Sequence, residues 1–290
     1  MNFNFNFNFK IKIKVHVINT GYFKLDGGAM FGVVPKSIWK KTNPPDENNM
    51  CSWAMRCLLI EMKDQLILID TGIGNKQSEK FFSYFHLHGN DNLKKSITNA
   101  GFLCEKITDV IFTHLHFDHC GGAVTKENNN YKLLFPNAKH WTNVKHWDAA
   151  INPNQREKAS FLKENFIPIS ESGKLNFIEN YNFNSNIKLR LFNGHTKSQM
   201  IPFIKYKNKT IVFCADLLPS TGHIPLPYVM GYDVNPLITL KEKELFLEDS
   251  INYNYILFLE HDYYNECCTI KKEAGKFKLN EAGRLADFIH

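Results

Sequence analysis

Five short apolar runs recur along the chain, and a polar residue follows each of them. The runs are residues 66–69, 110–112, 189–192, 210–214 and 255–259. They are rich in β-branched and aromatic residues, which is typical of buried strands. The side chains that follow them are Asp70, His114, His195, Asp216 and His261. Because rigid strand ends commonly hold active-site residues, the pattern predicts that these side chains converge at one sheet edge.

The remaining pattern predicts further strands and helices around these runs. The pattern predicts an edge strand at 10–15, a strand pair at 54–61 and 65–70, and a hairpin at 269–279 around Gly275. It predicts helices at 78–85, 92–100, 144–151, 157–166 and 240–251. A turn is predicted at 170–173. Glycines predict a loop at 25–32, and a polar loop follows at 35–49. Strands with helices outside them predict an α+β fold in which two sheets pack face to face beneath helices. We expect one domain over residues 1–290, with the helical segment 144–170 inserted near the site.

Composition narrows the classes of protein that this chain can belong to. The 290 residues are 43% hydrophobic and 13% aromatic, which allows a substantial core. The net charge of +6 is scattered without a basic stripe, so no nucleic-acid partner is indicated. No apolar stretch approaches the ~20 residues needed to cross a bilayer. The Asn-Phe repeat of residues 1–9 lacks the features of a secretory signal and is typical of a disordered tail. The seven cysteines are odd in number and contain no C-x-x-C pair, which favours a reduced, cytoplasmic protein.

Four side chains that bind metals lie within six residues of one another: His114, His116, Asp118 and His119. Alternate residues at a strand end point the same way, and a tight turn can aim the next pair at a second point nearby. Imidazole and carboxylate groups suit a borderline divalent ion such as Zn²⁺. The spacing therefore indicates a metal site and suggests a dinuclear one.

With these residues the chain resembles the metallo-β-lactamase-fold hydrolases. The four-residue motif is followed in the family's order by Gly194-His195-Thr196, Asp216 and His261, and preceded by Asp70-Thr71-Gly72. The resemblance implies an αββα sandwich that binds two divalent metal ions, with Zn²⁺ favoured. It implies that one ion is bound by His114, His116 and His195, the other by Asp118, His119 and His261, and both by a bridging Asp216. It also implies that Asp70 is a buried acid that orients the ligand loop without binding metal.

The implied chemistry is hydrolysis at an electrophilic carbon or phosphorus. Two neighbouring cations lower the pKa of a shared water towards ~7, so a bridging hydroxide is available at neutral pH. We expect Asp216 to hold the metals at the right separation and Asp118 to carry a proton to the leaving group. An aspartate at position 216 separates the chain from true β-lactamases, which have a cysteine there.

The substrate expectation also comes from the resemblance. The sequence of residues 114–122 is most similar to quorum-quenching N-acyl homoserine lactonases, whereas the loop after Asp216, with Pro219 where several of these enzymes have Tyr, is closer to the phosphotriesterase-like branch. We therefore expect a small-molecule substrate with an apolar tail. The candidate substrate contacts are Met30, Phe31, His223, Tyr228 and Tyr232. A groove for the tail is expected from Met30 and Phe31, from Phe161 and Phe166, and from residues 225–230.

Several alternatives stay open on the sequence alone. Phosphotriesters or aryl esters are alternative substrates of the same fold. Iron-dependent persulfide or oxygen chemistry is a weaker alternative, because related oxidoreductases usually have a reduced ligand set or a flavin domain. A nuclease would need an added nucleic-acid module that the sequence does not show. The sequence also leaves a homodimer open.

Overall fold

The computed structural model describes residues 13–289, and most of its strands belong to two six-stranded sheets. Along the first sheet the strands are β1 (Lys14–Asp26), β2 (Met50–Glu61), β3 (Leu66–Ile69), β4 (Asp109–Ile111), β7 (Lys139–Thr142) and β8 (Leu175–Phe177). The pairs β1–β2 and β2–β3 are antiparallel, and the following pairs are parallel. The predicted edge strand at 10–15 is confirmed where it is described, because β1 lies at the sheet edge. Residues 1–9, the expected disordered tail, lie outside the described residues.

The second sheet is built from the last half of the chain. Its strands are β9 (Ile187–Phe192), β10 (Gln199–Tyr206), β11 (Lys209–Phe213), β12 (Ile256–Phe258), β13 (Cys267–Glu273) and β14 (Lys276–Gly283), in the spatial order β14-β13-β12-β11-β10-β9. Only β11 and β12 pair in parallel among them. The predicted hairpin around Gly275 is confirmed by β13 and β14. A separate hairpin comprises β5 (Val124–Glu127) and β6 (Asn130–Leu133).

Helices cover the outer faces of both sheets. They are α1 (Gly27–Phe31), α2 (Lys36–Trp39), α3 (Glu79–Ser83), α4 (Leu93–Asn99), α5 (Phe117–Cys120), α6 (Val144–Ile151), α7 (Lys163–Glu171), α8 (Pro236–Asn252) and α9 (Leu285–Phe288). Helix α4 packs Leu93 and Ile97 on the first sheet. Helix α8 packs Phe246 edge-on against Phe192 and Phe203 of the second.

Strand β2 shows how the layers form. Its successive side chains point to opposite faces, so Leu58 and Ile60 join the core between the sheets, whereas Cys57 and Leu59 join the core beneath α4 and α7. Because both faces are covered, residues 57–60 of this strand form a continuous apolar run and do not alternate with polar residues. The predicted αββα sandwich is therefore confirmed.

The loop predicted at 25–32 is wrong. Strand β1 continues to Asp26, and the Asp26 carboxylate accepts the backbone N–H of Ala29 at 2.8 Å. This is a helix N-cap, and it starts α1 in spite of the three glycines. The polar loop predicted at 35–49 likewise contains α2.

The helix predicted at 157–166 is also wrong. Residues 155–160 form turns, and α7 begins only at Lys163 and ends at Glu171, so the turn predicted at 170–173 is confirmed for residues 172–173. The Asn154 side chain accepts the N–H groups of Arg156 and Glu157, at 2.9 and 3.2 Å. The Ser160 carbonyl accepts the N–H of Phe117 at 3.0 Å. The Ser160 carbonyl, which a helix over 157–166 would pair with the N–H of Glu164, is therefore bonded elsewhere.

Two features of the described chain bear on its surroundings. Over residues 13–289 no helix combines the length and the apolar character needed to cross a membrane. All seven cysteines are buried thiols that form no disulfide with one another.

Candidate active site

The polar residues that follow the strands meet at one edge of the two sheets. Each of the seven is buried there, and they are His114, His116, Asp118, His119, His195, Asp216 and His261. They form two groups, and within each group one possible ligand atom per residue lies within 4.8 Å of the others. The first group is His114, His116, His195 and Asp216, and the second is Asp118, His119 and His261. This division follows the one that the sequence resemblance implied.

Local structure explains how neighbouring residues reach both groups. Strand β4 ends at Ile111, and the extended segment after it carries His114 and His116. The chain then turns into the single-turn helix α5, which aims Asp118 and His119 at the second group. From the second sheet, β9, β11 and β12 end just before His195, Asp216 and His261 respectively.

The Asp216 carboxylate faces both groups. Its Oδ2 lies 3.0 Å from Nε2 of His195 and 3.6 Å from Nε2 of His114. The same oxygen lies 3.5 Å from Nε2 of His119, and Oδ1 lies 3.1 Å from Nε2 of His261. An oxygen pair between two ligand groups is the arrangement that a bridging carboxylate requires.

The donor atoms fit a pair of divalent ions. Nε2 of His114 is buried without a hydrogen-bond partner among the described residues, and such a group is costly in a folded protein unless something binds it. Imidazole nitrogens and carboxylate oxygens are ligands for borderline metals. The two clusters are therefore compatible with a dinuclear divalent metal site.

The charges in the cluster are strongly coupled. Burial raises the pKa of Asp216, but the surrounding histidines, His195 first among them, lower it further, and the net pKa lies well below its usual value. Burial and the neighbouring imidazoles both hold the pKa of His114 well below its usual value. Asp216 is therefore an anion, and His114 a neutral ring with a free lone pair.

Asp70 contacts both the segment that carries the candidate ligands and the ring of His119. Its Oδ1 accepts the N–H of Thr113 at 2.8 Å, and its Oδ2 accepts the Thr113 hydroxyl at 2.6 Å. Oδ2 also lies 3.0 Å from Nδ1 of His119. Asp70 has a φ of +56°, which is unfavourable for a side chain other than glycine and needs this dense bonding to persist.

Three acids near the ligands were missed by the sequence analysis. Asp233 lies 2.9 Å from Nδ1 of His195, Glu260 lies 3.1 Å from Nδ1 of His119, and Glu157 lies 3.6 Å from Nε2 of His116. Asp233 and Glu157 stand in turns without periodic pattern. Glu260 directly precedes a predicted ligand, which was the one available signal.

A cavity of about 450 Å³ opens onto the ligand cluster. Its lining is Leu25, Met30, Phe85, His116, Phe117, Asp118, Arg156, Glu157, Ala159, Ser160, His195, Asp216, Met230, Gly231, Tyr232 and His261. Apolar side chains form one side, where the rings of Phe85 and Phe117 lie 4.8 Å apart. The cavity thus joins an apolar surface to the metal ligands.

The structure separates the five candidate substrate contacts. Met30 and Tyr232 line the cavity, whereas Phe31, Tyr228 and His223 do not. His223 is fully packed: its ring stacks on Phe31 at 4.4 Å, and its nitrogens face the Ser220 hydroxyl at 2.8 Å and the Met30 carbonyl at 2.9 Å.

These contacts correct the expectation for His223. Burial lowers its pKa to about 3, so the ring is neutral and uses both nitrogens to hold its loop. Phe161 and Phe166, expected in the tail groove, are buried and are also absent from the lining of this cavity.

Cys120→Ser is expected to retain most hydrolytic activity, although the residue follows a ligand directly. The Cys120 thiol is buried and donates to the Leu115 carbonyl at 3.4 Å. Burial raises its pKa to about 12, so it is not a thiolate nucleophile. Steady-state rates and thiol-reagent labelling of the folded protein test this. Rapid labelling with matching loss of activity would contradict it.

Comparisons with known proteins agree with this fold and site. Residues 56–251 match the family model of the metallo-beta-lactamase superfamily. The match covers more than half of the chain, which therefore belongs to the metallo-β-lactamase superfamily and has the fold and site of its metal-dependent hydrolases. A search of curated sequences gave no match.

Solved structures give the likeness in more detail. A probable metal-dependent hydrolase from Staphylococcus aureus is 30% identical with a TM-score of 0.86, over 94% of this chain and 98% of that one. AidC, described as a dizinc quorum-quenching lactonase in complex with its product, is 24% identical with a TM-score of 0.76, over 93% and 95%. An N-acyl homoserine lactone hydrolase with N-hexanoyl-L-homoserine at its catalytic metal centre is 19% identical with a TM-score of 0.66, over 87% and 94%.

Proposed function

We propose that this hydrolase opens the ring of N-acyl homoserine lactones and uses two Zn²⁺ ions to do so. The observation that carries the proposal is the cavity, because its lining combines apolar side chains with five of the seven cluster residues, His116, Asp118, His195, Asp216 and His261. An N-acyl homoserine lactone has the matching parts, an apolar acyl tail and a neutral strained ester. The lactonases with similar folds support the same substrate class.

The residues of the chain divide the chemistry between them. Two divalent ions held by the cluster would supply an activated water and polarise the ester carbonyl. Asp118 lies in the cavity wall, where its carboxylate would accept a proton from the activated water and pass it to the leaving alkoxide. Asp216 fixes the spacing of the two ligand groups, and Asp70 and Asp233 orient histidines from behind.

The apolar wall is proposed to bind the acyl tail. Leu25, Met30, Phe85 and Phe117 lie side by side in the lining, and Met230 adds to it. An apolar wall of this kind binds methylene groups by removing them from water, and it does not require one particular conformation of the acyl tail. Position 219, where several lactonases have Tyr, is a proline, so this chain binds the lactone through other groups.

Longer acyl chains are expected to have lower KM until the wall is filled. Each buried methylene contributes about 0.8 kcal/mol, which corresponds to about a fourfold fall in KM. Steady-state kinetics on C4 to C10 lactones with the zinc-loaded protein measure the effect. Phe85→Ala should flatten the dependence on chain length, whereas Tyr84→Ala, which changes the neighbouring, 60% exposed side chain, should leave it unchanged.

The same kinetic assays also include the alternative substrate classes of this fold. Phosphotriesters and aryl esters are assayed beside the lactones under the same metal loading. Ring opening with a clear preference for lactones supports the proposal. Fast cleavage of a phosphotriester or aryl ester without opening of any acyl lactone would reassign the chain to the other hydrolase class.

A further inference from the structure

The segment 154–161 encloses the imidazole of His116. The Phe161 ring packs against it with centroids 4.8 Å apart. The Ser160 carbonyl accepts the N–H of Phe117, the next residue, at 3.0 Å. Glu157 approaches the ring from the same segment, with Oε2 at 3.6 Å from Nε2. One short turn region thus contacts the ring face, the ring edge and the backbone of a single ligand.

The two nitrogens of His116 face different surroundings. Nδ1 lies 3.2 Å from Nε2 of His195 and therefore points into the first ligand group. Nε2 points away from that group, towards Glu157, and has no hydrogen-bond partner among the described residues. The nitrogen available to a metal is thus Nδ1, and this requires the ring proton to be on Nε2.

Glu157 is itself held firmly as a carboxylate. It is 5% exposed, its Oε2 accepts the hydroxyl of Thr196 at 2.8 Å, and its Oε1 accepts the side-chain N–H of Asn154 at 2.8 Å. A ring that binds a metal through one nitrogen is neutral and places its single proton on the other nitrogen.

We infer that Glu157 is a positioning residue for His116: its negative charge holds the ring proton on Nε2 and so presents Nδ1 to the metal of the first group. The separation of 3.6 Å is longer than a direct hydrogen bond, so the carboxylate charge acts electrostatically on the polar N–H of a neutral ring. Thr196 follows the ligand His195, and its bond to Glu157 links the positions of two ligands. The inference rests on the metal-dependent function proposed above but not on the identity of the substrate.

The first test measures the two metal affinities separately. Metal-free protein is titrated with Zn²⁺ against a chromophoric chelator, for the wild type, Glu157→Gln and the control Glu171→Gln. Glu171 ends α7 at the surface and has no contact with the cluster, so its loss removes the same charge elsewhere. Glu157→Gln should weaken one of the two sites about 10- to 100-fold and leave the other unchanged.

The outcomes of this titration distinguish a failure of the Glu157 inference from a failure of the proposed metal-dependent function. If both sites weaken equally, the charge acts only at long range, and the positioning role is overturned. If neither site changes while the wild type binds two ions, the inference is also overturned and the proposed function is untouched. If the wild type binds no ion tightly, the proposed function itself fails.

The second test reads the proton directly. In the metal-free wild type, a long-range ¹H–¹⁵N spectrum should show the proton of His116 on Nε2, and Glu157→Gln should move part of the population to Nδ1. A proton on Nδ1 in the wild type would overturn the inference. If Glu157→Gln fails to fold, Thr196→Val removes the hydroxyl that holds the carboxylate and should produce the same changes to a smaller extent.

Discussion

Asp216→Asn is expected to lower kcat/KM for the best substrate by about 10³-fold or more while the protein stays folded. The carboxylate faces both ligand groups, and the amide removes its charge while it keeps its shape. A catalytic metal supplies several kcal/mol of transition-state stabilisation, and each 1.36 kcal/mol is a factor of ten. Single-turnover and steady-state rates measure the loss, and far-UV circular dichroism checks the fold.

His116→Ala should have a similar effect, since it removes one ligand from the first group and a ring that lines the cavity. Cys120→Ser is the matched control at a buried position directly beside the motif. Turnover near the wild-type rate in Asp216→Asn, with metal content unchanged, would contradict a mechanism in which this carboxylate holds the ligand groups together.

Metal uptake by the metal-free protein is expected to release at least two protons at pH 7 and to tighten as the pH rises. Burial lowers the pKa of His195 and His261, but the Asp216 carboxylate raises it further, to about 10 and about 9 respectively. Both rings are therefore cations at pH 7. Each must lose its proton before it can bind metal, which gives one proton from His195 and one from His261. Titration of Zn²⁺ into weakly buffered protein, with an indicator dye, counts the protons.

The same pKa shifts make the metal-free fold less stable as the pH rises, although they make metal binding tighter. The pKa of each ring in the folded protein lies above its value of about 6.5 in the unfolded chain. Protonation of the two rings therefore stabilises the fold, and this contribution is complete below about pH 6.5. This contribution is lost as the pH rises through about 9 and 10. Melting temperatures of the metal-free protein should therefore fall over this range, whereas metal affinity increases. Uptake of fewer than two ions, with His261→Ala harmless, would contradict the dinuclear assignment.

The ligand set was predictable because its signal is local. The candidate ligands follow four short apolar runs, and these runs form strands of the two packed sheets whose ends meet at one edge. Strands β11 and β12 pair in parallel although more than 40 residues separate them, and this pairing brings Asp216 beside His261. Hydrophobic periodicity alone does not specify which strands are neighbours. The order of the motifs along the chain, which matches that of the metallo-β-lactamase-fold family, supplied this long-range pairing.

The acids that contact the candidate ligands could not be predicted from the sequence, and the reason is physical. Asp233 and Glu157 reach histidines from irregular segments, and their roles depend on tertiary contacts with partners at least 38 residues away in sequence. The segment 157–166 shows the same limit, because its residues favour a helix but the distant Phe117 N–H binds the Ser160 carbonyl. His223 was overestimated because a histidine in a loop after a ligand gives the same sequence signal whether it faces the cavity or the core.

The strand ends carry the metal ligands, whereas much of the cavity wall comes from loop residues such as Phe85, Arg156, Ser160 and Tyr232. The two parts can therefore diverge independently in evolution. Substitutions in the loops reshape what enters the cavity, while the strand ends keep the reactive centre intact. A laboratory library confined to Phe85 and Tyr232, outside the segment 154–161 that packs against His116, would alter the cavity wall and leave the candidate ligands in place, which is a practical advantage of this architecture for redesign.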